Sequence, residues 1–362
     1  SYSPNDFRQT FSAVASTRAT ETLTSTQRTD ASASRTAVEV AHAVPRAMLF
    51  VRGTLARASA DFSDVRSSGT QSRQLRDDGE SISAHVETTP IGRVSASAGV
   101  RREWRAAPAD GADRDAATVG HLGASVRLTD RVFARGAVAT GHRWPTLNEL
   151  VRDFQVGAVR TLANPDLAPE RARSAEIGLG FAVAARRTFS ATVFHTVVDD
   201  AVANVTLPSP TGIVRQRRNA GESRATGLEL DGEWAVSRAS LRASVTVTRA
   251  TFASSAEPAI DGNRLPQVPR ASAALWATVD LPRRAHAALV WKGVSRQFDD
   301  DRNTFELGAA SEVGVRVAGP AGDLTWSISL ENVFDNRIEV GRTPLVTIAP
   351  GREVRVGVTW RR

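Results

Sequence analysis

Cysteine is absent from the 362 residues, which excludes disulfides, thiolate metal ligands and a cysteine nucleophile. Lysine occurs once, at Lys292, and tyrosine once, at Tyr2, so arginine carries nearly all of the positive charge behind the net +7. The arginines recur along the whole length instead of gathering beside aromatic stacking partners, and nucleic-acid binding is not expected. No run approaches the roughly 20 apolar residues that a spanning helix needs. Aromatics make up only 6% of the chain. The six histidines (His42, His85, His121, His142, His195 and His286) form no H-E-x-x-H pair. "GESRATG" lacks the glycine that a nucleophile elbow places two residues after Ser223. No glycine-rich phosphate loop is present either. No catalytic residue, no cofactor and no enzyme activity are therefore expected. The opening stretch, "SYSPNDFRQTFSAV", does not read as a signal peptide.

What the chain has in quantity is alternation. In "VRVGVTW", Val354, Val356, Val358 and Trp360 fall on one side and Arg355, Gly357 and Thr359 on the other. "SAEIGLGFAV" sets Ile177, Leu179, Phe181 and Val183 against Glu176, Gly178 and Gly180. "GLELDGEWAV" sets Leu228, Leu230 and Trp234 against Glu229, Asp231 and Glu233, and "LTWSISLE" follows the same rule. Period-2 patterning predicts strands with one oily and one polar face. Helical spacing is scarce outside "WPTLNELVRDF". The count is about 16 or 17 strands from near Phe7 to Trp360.

The predicted connections alternate in length. Short ones fall near "STRAT", "AVPRA", "TTPIG", "LTDRV", "AARRT", "VSRAS", "LPRRA" and "AGPAG". Long polar ones fall over residues 60–81, 104–116 and about 141–173, and again at 205–223, 251–270, 296–308 and 336–353. Tight turns at one end and long excursions at the other characterise an up-and-down transmembrane β-barrel with short periplasmic turns and long outer loops. Phe181, Phe189, Trp234 and Trp326, with Trp360 at the chain's end, are expected on the oily face near the tight turns, as in an interfacial aromatic belt. A dry core would make Glu229, Asp231 and Glu233 on one strand costly, so that face must be wet or paired. The oily face is thus expected toward lipid. Two loops carry further candidates. Asp299, Asp300 and Asp301 in "FDDDRN" are weak calcium candidates, since hard cations favour clustered carboxylates. Arg215, Arg217 and Arg218 in "VRQRRN" are candidates for anionic substrates or lipopolysaccharide phosphates.

With these strands placed, "GHRWPTLNELVRDF" followed by "NPDLAPERARSAEIGL" resembles the TonB-dependent outer-membrane transporters across their large middle loop. "RNAGESRATGLELDGEW", "GNRLPQVPR", "LENVFDNRIEVG" and "PGREVRVGVTW" resemble later landmarks of the same barrel, in the same order. The likeness covers about Arg93 to Trp360, and the earlier part by pattern. The residues have structural roles of their own. Pro145 and Pro169 stop strand pairing, Asn164-Pro165 initiates a turn, and Asn332 and Asp335 read as strand-exit and turn residues.

The resemblance implies a 22-stranded barrel filled by an N-terminal plug on which the TonB protein acts. Residues 1–362 would be the C-terminal part of that barrel, without the plug or the first strands. It implies a cell-outer-membrane location and energy-coupled uptake of a scarce, bulky nutrient such as a ferric siderophore or cobalamin. The expected partners are outer-membrane lipid and lipopolysaccharide, the TonB complex and the iron-siderophore ligand, with the protein a monomer. A passive porin is the alternative. Arg143 and Trp144 join Arg215, Arg217 and Arg218 as outer-loop ligand candidates. Two departures stand out: Arg361 and Arg362 follow Trp360, and the aromatic content is thin for the belts.

Overall fold

The computed structural model describes residues 2–14, 20–66, 69–106, 114–156, 159–184, 186–210, 212–253, 257–343 and 345–360. The expected turn at "STRAT" and the terminal Arg361 and Arg362 lie outside the described residues, Thr20 excepted.

Sixteen strands form one antiparallel up-and-down sheet in chain order. They are β1 (Tyr2–Val14), β2 (Glu21–Val44), β3 (Ala47–Arg66), β4 (Gly69–Thr88), β5 (Val94–Ala106), β6 (Arg114–Arg127), β7 (Val132–Arg143) and β8 (Glu170–Ala184). They continue as β9 (Arg187–Asp199), β10 (Glu222–Val236), β11 (Ala239–Ala253), β12 (Ala271–Asp280), β13 (His286–Val294), β14 (Ala310–Ala321), β15 (Leu324–Glu331) and β16 (Glu353–Trp360). Tight connections close where a residue adopts the left-handed conformation, at Arg46 (φ 70), Ser237 (φ 47), Arg283 (φ 59) and Gly322 (φ 61). The opposite end carries the long excursions 144–169, 200–221, 254–270, 295–309 and 332–352.

The chain divides into two compact units. Unit 1 comprises residues 1–123, 139–171 and 207–218. Its β3 and β4 pair without interruption from Ala47↔Thr88 to Arg66↔Gly69. This corrects the long loop expected over 60–81. Leu49, Val51 and Leu55 are exposed on one face of β3. Farther along, the same face carries Arg57, Ser59, Asp61 and Ser63, so the hydrophobic period disappears while the hydrogen-bond ladder continues.

Unit 2 comprises residues 124–138, 172–206 and 219–362. Here the oily face is exposed: Ile177 is 68% exposed, Leu230 42%, Val354 64% and Val356 72%. Phe181, Phe189, Trp234 and Trp360 are exposed on that face near the tight turns, and Trp326 is half-covered. The Phe189 and Trp234 rings lie 6.1 Å apart, and the Arg187 guanidinium sits 5.0 Å over Trp234. A cationic head above an aromatic ring suits a boundary between apolar and wet surroundings. The other face is polar. Glu233 is held by Arg186 (3.1 Å) and Arg242 (3.5 Å), and Arg355 by Glu331 (3.3 Å) and Glu353 (2.8 Å), while Asp231 stands exposed. Asp231, Glu233, Glu331 and Trp276 line a concavity of about 1020 Å³.

Candidate functional site in the outer loops

The residues that the sequence marks for ligand contact fall mainly in unit 1, where segments 144–169 and 207–218 meet. The chain leaves β7 at Trp144-Pro145 and turns into a short helix, α1 (Leu147–Val151). Thr146 caps it: its hydroxyl accepts from the Glu149 N–H at 3.3 Å, while the Glu149 carboxylate accepts from the Thr146 N–H at 2.8 Å. This reciprocal box satisfies two of the orphan donors at a helix start.

Arg143 is committed to that box. It pairs with Glu149 at 2.9 Å and with Glu170, so two carboxylates already neutralise it. Burial alone would raise the Glu149 carboxyl, but Arg143 and Thr146 outweigh it and hold the group below its ordinary value. Trp144 packs edge-on against His142 at 5.1 Å with the Arg105 guanidinium 5.9 Å over its ring. Both residues anchor the root of the loop.

Beyond the helix, Phe154–Val156, Val159–Leu162 and Ile213–Asn219 form a small sheet, antiparallel in the first pair and parallel in the second. Alternation along the last strand puts Arg215 and Arg217 on one face and Gln216 and Arg218 on the other. Arg218 donates to Gln216 Oε1 at 2.9 Å, and Gln216 donates to the Ala163 carbonyl at 3.2 Å. Arg217 lies 5.4 Å over the Phe154 ring and donates to the Asn148 carbonyl at 3.3 Å. Asn164 accepts from the Asp166 N–H at 3.1 Å and donates to the Arg217 carbonyl at 2.9 Å, so the turn at Asn164-Pro165 ties the two segments together.

The sequence reading missed Arg152, which joins this group. It donates to Gln27 Oε1 at 2.7 Å and sits 5.8 Å over Phe62. Burial lowers its guanidinium below the usual value; Asp64 pulls it back up and Arg217 pushes it down further. Burial likewise lowers Arg217, with Glu149 opposing. None of Arg152, Arg215 and Arg217 forms an ion pair among the described residues, and the buried Nε atoms of Arg152 and Arg215 have no hydrogen-bond partner. Asp64 and Glu149 act on Arg152 and Arg217 without pairing with them, so forks suited to carboxylate or phosphate keep charge that no ion pair cancels. Only long-range packing, such as the contact with Gln27, marks Arg152, and no local motif carries that.

The acidic run in unit 2, a weak calcium candidate, is engaged in hydrogen bonds to the neighbouring loops. Asp299 accepts from the Thr343 hydroxyl (2.7 Å), the Thr343 and Arg342 N–H groups (2.8 Å each) and Gln267 (2.8 Å). Asp300 accepts from the N–H groups of Thr304 (2.9 Å) and Phe305 (2.8 Å), and Asp301 from Thr206 (2.9 and 3.1 Å). The three carboxylates diverge to three sets of donors and hold the loops together. Among the described residues, no group of three or more His, Asp or Glu is placed to hold a metal ion.

A family model described as TonB dependent receptor-like, beta-barrel, matches residues 1–333. The chain belongs to this family. Its members are outer-membrane β-barrels that act as transport receptors. No curated protein matches the sequence. Solved structures agree on the fold. The copper transporter OprC superposes with a TM-score of 0.75 at 15% identity, over 92% of this chain and 59% of its own. BauA, the ferric preacinetobactin receptor from Acinetobacter baumannii, gives 0.71 at 14%, over 99% and 59%. FyuA, the ferric yersiniabactin uptake receptor from Yersinia pestis, gives 0.67 at 18%, over 92% and 54%. The chain therefore spans a little over half the length of these proteins.

Proposed function

We propose that this chain is the barrel wall and outer-loop portion of a TonB-dependent receptor that takes up a scarce, bulky, anionic nutrient across the outer membrane. A ferric siderophore fits this best, with a cobalamin-like ligand as the second choice. Arg152, Arg215 and Arg217 meet the ligand's negative charge, while Arg143 and Trp144 hold the loop that presents them. A plug domain outside residues 1–362 couples the whole protein, a monomer set in lipid and lipopolysaccharide, to the TonB complex.

The observation that carries this reading is that Arg152, Arg215 and Arg217 form no ion pair among the described residues, in the long-loop segments of a chain whose family is one of receptors. The passive-porin alternative is not favoured, because the family is that of TonB-dependent receptors and the structural neighbours include proteins titled as uptake receptors.

The test is uptake of radiolabelled ferric siderophores by cells carrying the whole protein, with and without TonB. Uptake that needs TonB, and that falls at least tenfold in affinity when Arg152 and Arg217 are both changed to Gln, is the expected result. Uptake independent of TonB would return the porin reading.

A further inference from the structure

In unit 1, three neighbouring strands place His85 (β4), Gly99 (β5) and His121 (β6) in a row, with His85 directly opposite Gly99 in the register. The glycine leaves a notch that both imidazoles enter. A Cβ at position 99 would lie 3.1 Å from His85 Nδ1, 3.1 Å from His121 Nδ1 and 2.5 Å from His121 Cε1. The two ring centroids are 5.1 Å apart. Two residues along β4, Glu87 sits 2.8 Å from His85 Nε2. A carboxylate at Nε2 accepts a proton held there, which in the neutral imidazole leaves Nδ1, at the edge of the notch, as the nitrogen able to bind an ion. His121 has no hydrogen-bond partner at either ring nitrogen among the described residues, which leaves its Nδ1 free beside the same space.

A histidine oriented by a carboxylate at its far nitrogen is how proteins prepare imidazole as a metal ligand. We propose that His85 and His121 form a two-nitrogen site for a borderline divalent transition-metal ion, backed by Glu87 and completed by water. Imidazole suits Cu²⁺, Ni²⁺ and Zn²⁺, and the usual stability order makes Cu²⁺ the tightest of them. With only two protein ligands the ion is held for passage or exchange, unlike a four-coordinate structural metal. The site shares no residue with the arginine group and does not depend on what those arginines bind.

The test is titration of Cu²⁺ into the folded protein in detergent micelles. Calorimetry reads the affinity, and electron paramagnetic resonance reads nitrogen hyperfine structure. The expected result is one Cu²⁺ per chain with two imidazole nitrogens. His85→Ala and His121→Ala each lose at least tenfold in affinity, and Glu87→Gln loses about 10–100-fold. Gly99→Ala keeps both histidines but fills the notch, and also loses at least tenfold. His195→Ala, in unit 2, is unchanged. Heat-modifiable migration confirms that each variant is folded. Copper binding that survives the His85→Ala/His121→Ala double change, or that ignores Gly99→Ala, overturns the proposal, as does the absence of any binding below millimolar Cu²⁺.

Discussion

Asn332 shows how a single side chain terminates a strand. It sits at φ 46, nearly buried, where the chain leaves β15. Its side chain accepts from the Asn336 N–H at 2.9 Å and donates to the carbonyls of Asn336 (2.9 Å) and Pro350 (3.3 Å). Asn332→Ala removes these bonds and strains a left-handed backbone, so a loss of about 2–4 kcal/mol is expected, read as faster proteolysis of residues 332–352 in the folded protein. Asp299 makes a pH prediction. Burial would raise its carboxyl, but hydrogen bonds from Thr343, Arg342 and Gln267 outweigh this and hold it below the ordinary value. Its stabilising contribution is therefore complete above the unfolded value of roughly 3.9 and is lost as pH falls through the lower folded value. Hydrogen exchange at residues 342–343 should stay slow at neutral pH and rise only below about pH 4, and Asp299→Asn should remove that acid transition.

At the scale of elements, the helix α1 depends on its cap. Thr146→Ala is expected to cost about 1 kcal/mol and to free Glu149 from the box, detectable as increased exchange over residues 146–152 with the sheet strands unaffected. Elements also show where sequence reading succeeds. The tight turns were legible at Pro45-Arg46, Ser237-Arg238 and Leu281–Ala285, because short connections between alternating runs leave few other places to reverse the chain. Pro145 and Pro169 marked the limits of β7 and β8 closely, since neither β7 nor β8 includes a proline. The β3–β4 hairpin reads as a loop over 60–81 in the sequence for a physical reason. Alternation in hydrophobicity reports contact with an apolar phase, and past Leu55 that face of β3 turns polar at Arg57, Ser59, Asp61 and Ser63. Backbone pairing needs no such contrast. The site was half legible: Arg215 and Arg217 stood out as a charge run, whereas which arginines lack counter-ions depends on pairs such as Arg143–Glu149 and on Arg152 reaching Gln27.

For the molecule as a whole, the governing fact is that the sheet keeps apolar side chains exposed on one face and gathers its ion pairs on the other. On β16, Val356 is 72% exposed, and Arg355 on the opposite face pairs with Glu331 and Glu353. Val356→Arg sets a charge against acyl chains and is expected to impair barrel assembly, at about 2–4 kcal/mol near mid-membrane, while Arg355→Val is tolerated far better. Equal tolerance in an assembly assay contradicts that assignment. A cysteine-free chain makes the most direct test clean. Spin labels introduced singly at residues 228–231 of the protein in liposomes report collisions with oxygen, which prefers lipid, and with a water-soluble nickel chelate. Oxygen access is predicted to peak at 228 and 230 and nickel access at 229 and 231. A pattern with no alternation, or with the two phases exchanged, would contradict the account.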